Sequence, residues 1–215
     1  MAVLEIVQPQ LKRDAEVIKD IEANVVPIMQ KLLTDGGVLN GLRGWFVTED
    51  GRDVRNEFRE ILVLEWPAAQ YFTDFVASPG FQGLMGTFRE KGYATGPPSL
   101  KLFDAGDLSV VFGSHTVLEY LAIKPQDASD ANVQGVRQKL ESSLQKLGSP
   151  RAVVGSSTNL DAKEIAVVGV YASDAELDAA KASTARQEFL AEIGKVANVT
   201  SLVAHVKKEL PLASQ

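Results

Sequence analysis

Apolar and polar positions fall into blocks that occur twice along the chain. Residues 3–8, VLEIVQ, and 117–123, VLEYLAI, each read as a short strand opening on Val-Leu-Glu. After the first, Ile18, Ile21, Val25, Ile28 and Leu32 recur at intervals of three and four, which draws one apolar face along a helix. After the second, Val133, Val136, Leu140, Leu144 and Leu147 do the same. Pro27 lies inside the first pattern. Its ring removes an amide donor and crowds the preceding turn, so a kink or a split is expected there.

Two strands are expected next in each half. Residues 42–49 and 57–66 flank the turn signal Asp50-Gly51, and residues 151–158 and 164–171 flank 159–163. A second helical pair follows. Ser78-Pro79 supplies an N-cap and a proline at the first helical position, after which Phe81, Leu84, Met85 and Phe88 line one face. In the second half, Ser173 with Glu176 and Thr184 with Gln187 have capping-box spacing. Closing strands are expected at 99–104 and 199–206.

Each half therefore reads β-α-β-β-α-β with its second helix broken, the ferredoxin-like order. Such a sheet carries helices on one face and leaves the other bare, and two bare faces can bury each other. The expected fold class is α+β, with two ferredoxin-like βαββαβ repeats packed sheet to sheet as an intrachain α+β barrel. The expected domains are residues 1–104 and 115–215, joined by 105–114, AGDLSVVFGS.

Bulk composition narrows the function classes. The 215 residues are 45% hydrophobic and 23% charged, which suits a globular protein with a substantial core. A net charge of −6 gives no basic face for nucleic acid or an anionic membrane. No apolar run is long enough to span a bilayer, and the N-terminal stretch lacks the pattern of a secretory leader. The chain has no cysteine, which removes disulfides, thiolate metal sites and cysteine nucleophiles, and fits a cytoplasmic location.

Several side chains could carry chemistry. Trp66 ends an alternating strand with Phe58, Leu62 and Leu64 on its face. It reads either as a core tryptophan whose indole N–H finds an acceptor or as a wall that stacks on a planar ligand. Tyr71, Phe72 and Phe75 form an aromatic cluster one turn long. The two histidines, His115 and His205, are too far apart to suggest a metal pair. Glu5 and Glu119 hold equivalent strand positions among apolar neighbours. Each reads as a salt-bridged seam residue or as a base with a raised pKa. The glycines Gly36, Gly37, Gly41 and Gly44 precede a strand, which excludes dinucleotide and Walker fingerprints.

From Leu64-Glu65-Trp66, through Tyr71-Phe72-Thr73-Asp74-Phe75 and Ala77-Ser78-Pro79, to Gly96-Pro97-Pro98, the chain resembles the dimeric α+β-barrel superfamily. The likeness is to its antibiotic-biosynthesis-monooxygenase-like branch, as a tandem-repeat member, and is clearest over residues 40–104. It implies a small-molecule-binding barrel. The activity implied is a cofactor-independent monooxygenase, or a cyclase or isomerase, acting on an aromatic or polyketide-like substrate in secondary metabolism. The alternative on the same scaffold is a non-catalytic ligand-binding or stress-related protein.

Quinone-forming enzymes of this type use a tyrosine on the helix after the tryptophan, an asparagine on the preceding strand and an arginine on the later helix. Here those places fall on Phe72 (with Tyr71 beside it), on Leu62, and one turn short of Arg89. The helix tryptophan and histidine of the heme-degrading branch fall on Phe75 and Met85. The resemblance implies Tyr71, Arg89 and His205 as catalytic donors, and Trp66, Phe72, Phe75, Met85 and Phe88 as substrate contacts. No cofactor or metal is expected. The expected partner is a hydrophobic or aromatic small molecule, not nucleic acid or a membrane, with homodimerisation left open.

Overall fold

The structure, a computed structural model, describes residues 2–148 and 151–211. Residues 1 and 212–215, the outer ends of the two expected domains, lie outside the described residues, as do 149–150. Strand β1 (Val3–Gln8) leads to helices α1 (Ala15–Asn24) and α2 (Val26–Asp35), then β2 (Asn40–Glu49), the short β3 (Arg52–Asp53) and β4 (Glu60–Trp66). Helices α3 (Ala69–Ala77) and α4 (Pro79–Glu90) and strand β5 (Ser99–Ala105) follow. The rest comprises β6 (Val117–Pro125), α5 (Asp130–Glu141), β7 (Ala152–Ser157), β8 (Ile165–Tyr171), α6 (Asp174–Ala182), α7 (Thr184–Ile193) and β9 (Ala197–Leu210).

The strands run in the order β2-β4-β1-β5-β7-β8-β6-β9, and β9 pairs back onto β2. Eight antiparallel strands thus close into a barrel that carries the seven α-helices of the described residues. The expected α+β barrel is thus present, and strand pairing at two seams makes it one continuous cylinder. Its seams are β5–β7, from Phe103↔Ser157 to Ala105↔Gly155, and β2–β9, from Gly41↔Leu210 to Glu49↔Leu202. Each seam supplies amide partners that an open four-stranded sheet would lack at its edges. Leu4, Ile6, Phe46, Phe103, Tyr120 and Val168 meet inside, all fully buried. The lumen is therefore core, and the sheet's outer face is the one left to build a pocket under the helices.

Local rules explain most element boundaries. Pro27 stands in the first turn of α2, where its missing amide costs nothing, and the helix pair breaks there. Asp50 and Gly51 have φ of 48° and 80°, the left-handed pair that a tight β2–β3 hairpin needs. Phe58 also has positive φ, 47°, after a 3₁₀ turn at Arg55–Glu57. That bend delays β4 to Glu60 and takes Phe58 out of the strand that carries Trp66. The second apolar helix pattern divides too, because Ser143 leaves the helical region and Leu144–Leu147 form a 3₁₀ turn. Ser183, rather than Thr184, occupies the N-cap of α7. Among the described residues, no helix is long and apolar enough to cross a membrane.

Gly44 marks the tightest point of the β2–β9 seam. A Cβ there would lie 1.9 Å from the backbone oxygen of His205, so β9 would have to move. Gly44→Ala is expected to lower stability by about 1–3 kcal/mol, read as a reduced denaturant midpoint with an unchanged slope. An unchanged midpoint would show that the seam can widen freely.

Candidate functional site

Alternation decides what faces the helices. Leu4, Ile6, Ile61 and Val63 turn into the barrel, so Glu5 and Val7 of β1 and Glu60, Leu62 and Leu64 of β4 turn outward. Helices α1 to α4 and the turn at Gly96-Pro97-Pro98 stand over this face and leave a cavity of about 690 Å³. Its wall is largely aliphatic and aromatic. Glu5, Glu60 and Arg89 are the ionisable side chains on it.

Glu5 is 3% exposed. The fully buried Trp66 indole donates its N–H to Glu5 Oε2 at 2.7 Å. No salt bridge reaches Glu5 among the described residues. Burial pushes its carboxyl up to about 7, against the smaller opposing effect of the Trp66 hydrogen bond. Glu60 stands farther along the same face and is buried as well. It pairs with the Arg43 guanidinium, which also donates to Glu22 at 2.6 and 3.0 Å. Burial pushes Glu60 up to about 7 even though Arg43 pulls the other way. A polar recess of about 290 Å³ adjoins this end and shares Gln10, Glu60 and Thr95 with the main cavity.

Phe75, Met85 and Phe88 line the cavity. Arg89 stands on its wall with an exposed side chain and makes no ion pair among the described residues. Trp66 and Phe72 lie behind the wall. The Trp66 ring meets Phe72 edge-on at 6.2 Å and Phe75 at 5.2 Å, so it fixes Phe75 and Glu5 from behind.

Tyr71 and His205 are not part of the wall. With Phe72 and Phe75 of α3 turned to the sheet, Tyr71 sits one residue around the helix and is 48% exposed. On β9, Leu202, Ala204 and Val206 point into the barrel, so His205 points out. There its Nε2 lies 3.0 Å from Asp174 of α6, an exposed pair on the opposite half of the chain. Glu60, Gln10 and Thr95 were not anticipated. Alternation from Leu62 and Leu64 was the one available signal for Glu60. Among the described residues, no group of three or more histidine or acidic side chains could hold a metal ion.

The same strand position in the second half is closed. Glu119 of β6 faces Gly169 as Glu5 faces Leu64, and Tyr171 faces Val117 as Trp66 faces Val3. Arg186, three residues after the N-cap of α7, places Nη2 at 2.7 and 2.8 Å from the two Glu119 oxygens. Ser201 Oγ adds a hydrogen bond at 2.9 Å. The corresponding place after the α4 N-cap is Phe81, which lines the open cavity.

No family model matches the chain, and no curated protein matches it. Solved structures do. A Fusobacterium nucleatum protein and a Lactobacillus acidophilus protein, each described as a "putative monooxygenase", align over 96% and 97% of this chain. The alignments span 93% and 94% of those chains, with identities of 14% and 13% and TM-scores of 0.63 and 0.57. An "anthrone oxidase-like protein" aligns over the whole of this chain and 97% of its own, at 12% identity and a TM-score of 0.64. At these identities the likeness shows the fold alone, a closed α+β barrel.

Proposed function

We propose that this protein is a small-molecule-binding barrel that oxidises an apolar, aromatic, weakly acidic compound with dioxygen as co-substrate. The observation that carries this reading is the apolar cavity of about 690 Å³ with the buried Glu5 carboxylate in its wall, which makes no salt bridge among the described residues. Such a site suits a flat hydrophobic compound with an ionisable C–H or O–H. The neighbours described as "putative monooxygenase" and "anthrone oxidase-like protein" support the oxidative direction. With an anthrone, the ring methylene would become a carbonyl. One atom of dioxygen would enter the product and the other would leave in water.

In this reading Phe75, Met85 and Phe88 hold the ring system, and Trp66 positions Phe75 and Glu5. Arg89 offers a cation to the oxygen on which negative charge develops. We further propose that the two halves are ferredoxin-like repeats of which the first alone keeps an open site. The shared strand order β2-β4-β1-β5 and β7-β8-β6-β9 supports this.

The test is anthrone binding, followed by tryptophan fluorescence, together with dioxygen uptake. Binding is expected with uptake well above the buffer rate, and Met85→Trp, which narrows the cavity where the ring system would lie, is expected to weaken binding by at least about tenfold. Anthrone that binds without raising uptake would leave a binding protein and remove the oxidative reading.

A further inference from the structure

We propose that Glu5 is the general base of this cavity, taking a proton from a weakly acidic C–H or O–H of an aromatic substrate. The proposal rests on the oxidative reading above and assigns its first chemical step.

Two glutamates share one place in the strand pattern and one degree of burial, Glu5 at 3% and Glu119 at 2% exposed. Glu119 shows what a structural carboxylate looks like there. Both its oxygens take the Arg186 guanidinium, with Ser201 and Tyr171 hydroxyls at 2.9 and 3.4 Å. Its charge is neutralised and its lone pairs are engaged. Glu5 has the indole N–H of Trp66 at 2.7 Å, a neutral donor, on Oε2 alone. Where Arg186 would supply the cation, the first half has Phe81, and the space beside it is the cavity. A buried carboxylate with no cation holds a proton more tightly than one in water, which suits it to take one near neutral pH.

The step balances within the site. The substrate C–H bond breaks and its electron pair stays on the substrate, delocalised into the neighbouring carbonyl as an enolate. The proton forms an O–H bond on Glu5, while Trp66 keeps its hydrogen bond to Oε2 and so orients the carboxyl. The enolate then gives electrons to dioxygen, the oxidant of the proposed reaction. The carbanion carbon bonds one oxygen of dioxygen and the Glu5 proton goes to the other, giving a hydroperoxide. Loss of the second methylene proton then breaks the O–O bond, which leaves the carbonyl and releases hydroxide that takes that proton as water.

Proton abstraction can be read without oxidation. Anthrone is incubated with protein in deuterated buffer without dioxygen, and loss of its methylene proton signal is followed by NMR. The parent protein is expected to accelerate the exchange. Glu5→Gln is expected to bind anthrone within about threefold of the parent and to lose roughly 10²–10⁴-fold in exchange rate. Glu5→Asp, which keeps the carboxylate but shortens its reach, is expected to recover part of the rate. Glu60 and Arg89 are the other ionisable groups on the wall. Because Glu60 titrates near the same pH, the loss in Glu5→Gln rather than the pH profile is decisive. Equal exchange by parent and Glu5→Gln would overturn the assignment. If both also consumed dioxygen with anthrone at one rate, the base would fall and the oxidative function would stand. Failure of the parent to bind anthrone or any related phenol would remove both.

Discussion

At pH 8, Glu5→Gln is expected to be more stable than the parent by up to about 3 kcal/mol, although it removes a buried polar group's charge and adds no contact. The folded chain raises the Glu5 carboxyl from 4.5 to about 7, and the cause is burial. A raised acid favours the unfolded chain once both states can ionise. The Glu5 contribution is therefore at its best below pH 4.5, is lost progressively between 4.5 and about 7, and stays lost above. At about 1.4 kcal/mol per pH unit, that span corresponds to about 3 kcal/mol. Glutamine keeps the shape and still accepts from the Trp66 indole, but it never ionises. Melting curves at pH 4, 6 and 8 should show the two proteins converging at pH 4 and separating by roughly 6–12 °C at pH 8. Equal stability at pH 8 would mean that water or a neighbouring group already compensates the charge. A residue that weakens the fold at working pH yet faces a cavity is what a trade of stability for chemistry predicts.

The frame was legible because local rules set it. Helical periodicity from Ile18 to Leu32, the break at Pro27, and the Ser78-Pro79 start all depend on a few adjacent residues. The apolar face of Met85 and Phe88 was legible for the same reason. Which strands form the two seams was not, since β2 meets β9 and β5 meets β7 through backbone amides that every sequence possesses. Tyr71 shows the limit of helix reading. Phe72 and Tyr71 are adjacent, and only packing of α3 against Trp66 decides which of them turns inward. The pairing of Glu5 with Glu119 was visible, but their difference was not. It comes from the third residue of a later helix, Phe81 in one half and Arg186 in the other, and no spacing rule links that residue to the strand.

The opposite sign is expected on the other side of the barrel. Arg186→Met should lower stability by about 3–5 kcal/mol, since breaking a buried ion pair strands its partner. Methionine keeps most of the stem's volume, so the loss is electrostatic rather than a packing defect. The guanidinium bonds to both Glu119 oxygens and to the Leu147 carbonyl at 2.7 Å. Without it Glu119 stays buried with two hydroxyls and with Lys181 at 4.0 Å. A buried carboxylate without its counter-ion is costly, so neutralising it should offset part of the deficit. Adding Glu119→Gln to Arg186→Met removes the stranded charge and should restore much of the loss, whereas Glu119→Gln alone should destabilise by leaving Arg186 without its counter-ion. Denaturant titrations of the four proteins at pH 5 and pH 8 measure the coupling directly. If the single and double variants lose stability equally at both pH values, Arg186 acts by packing, and the contrast between a neutralised Glu119 and an uncompensated Glu5 loses its electrostatic basis.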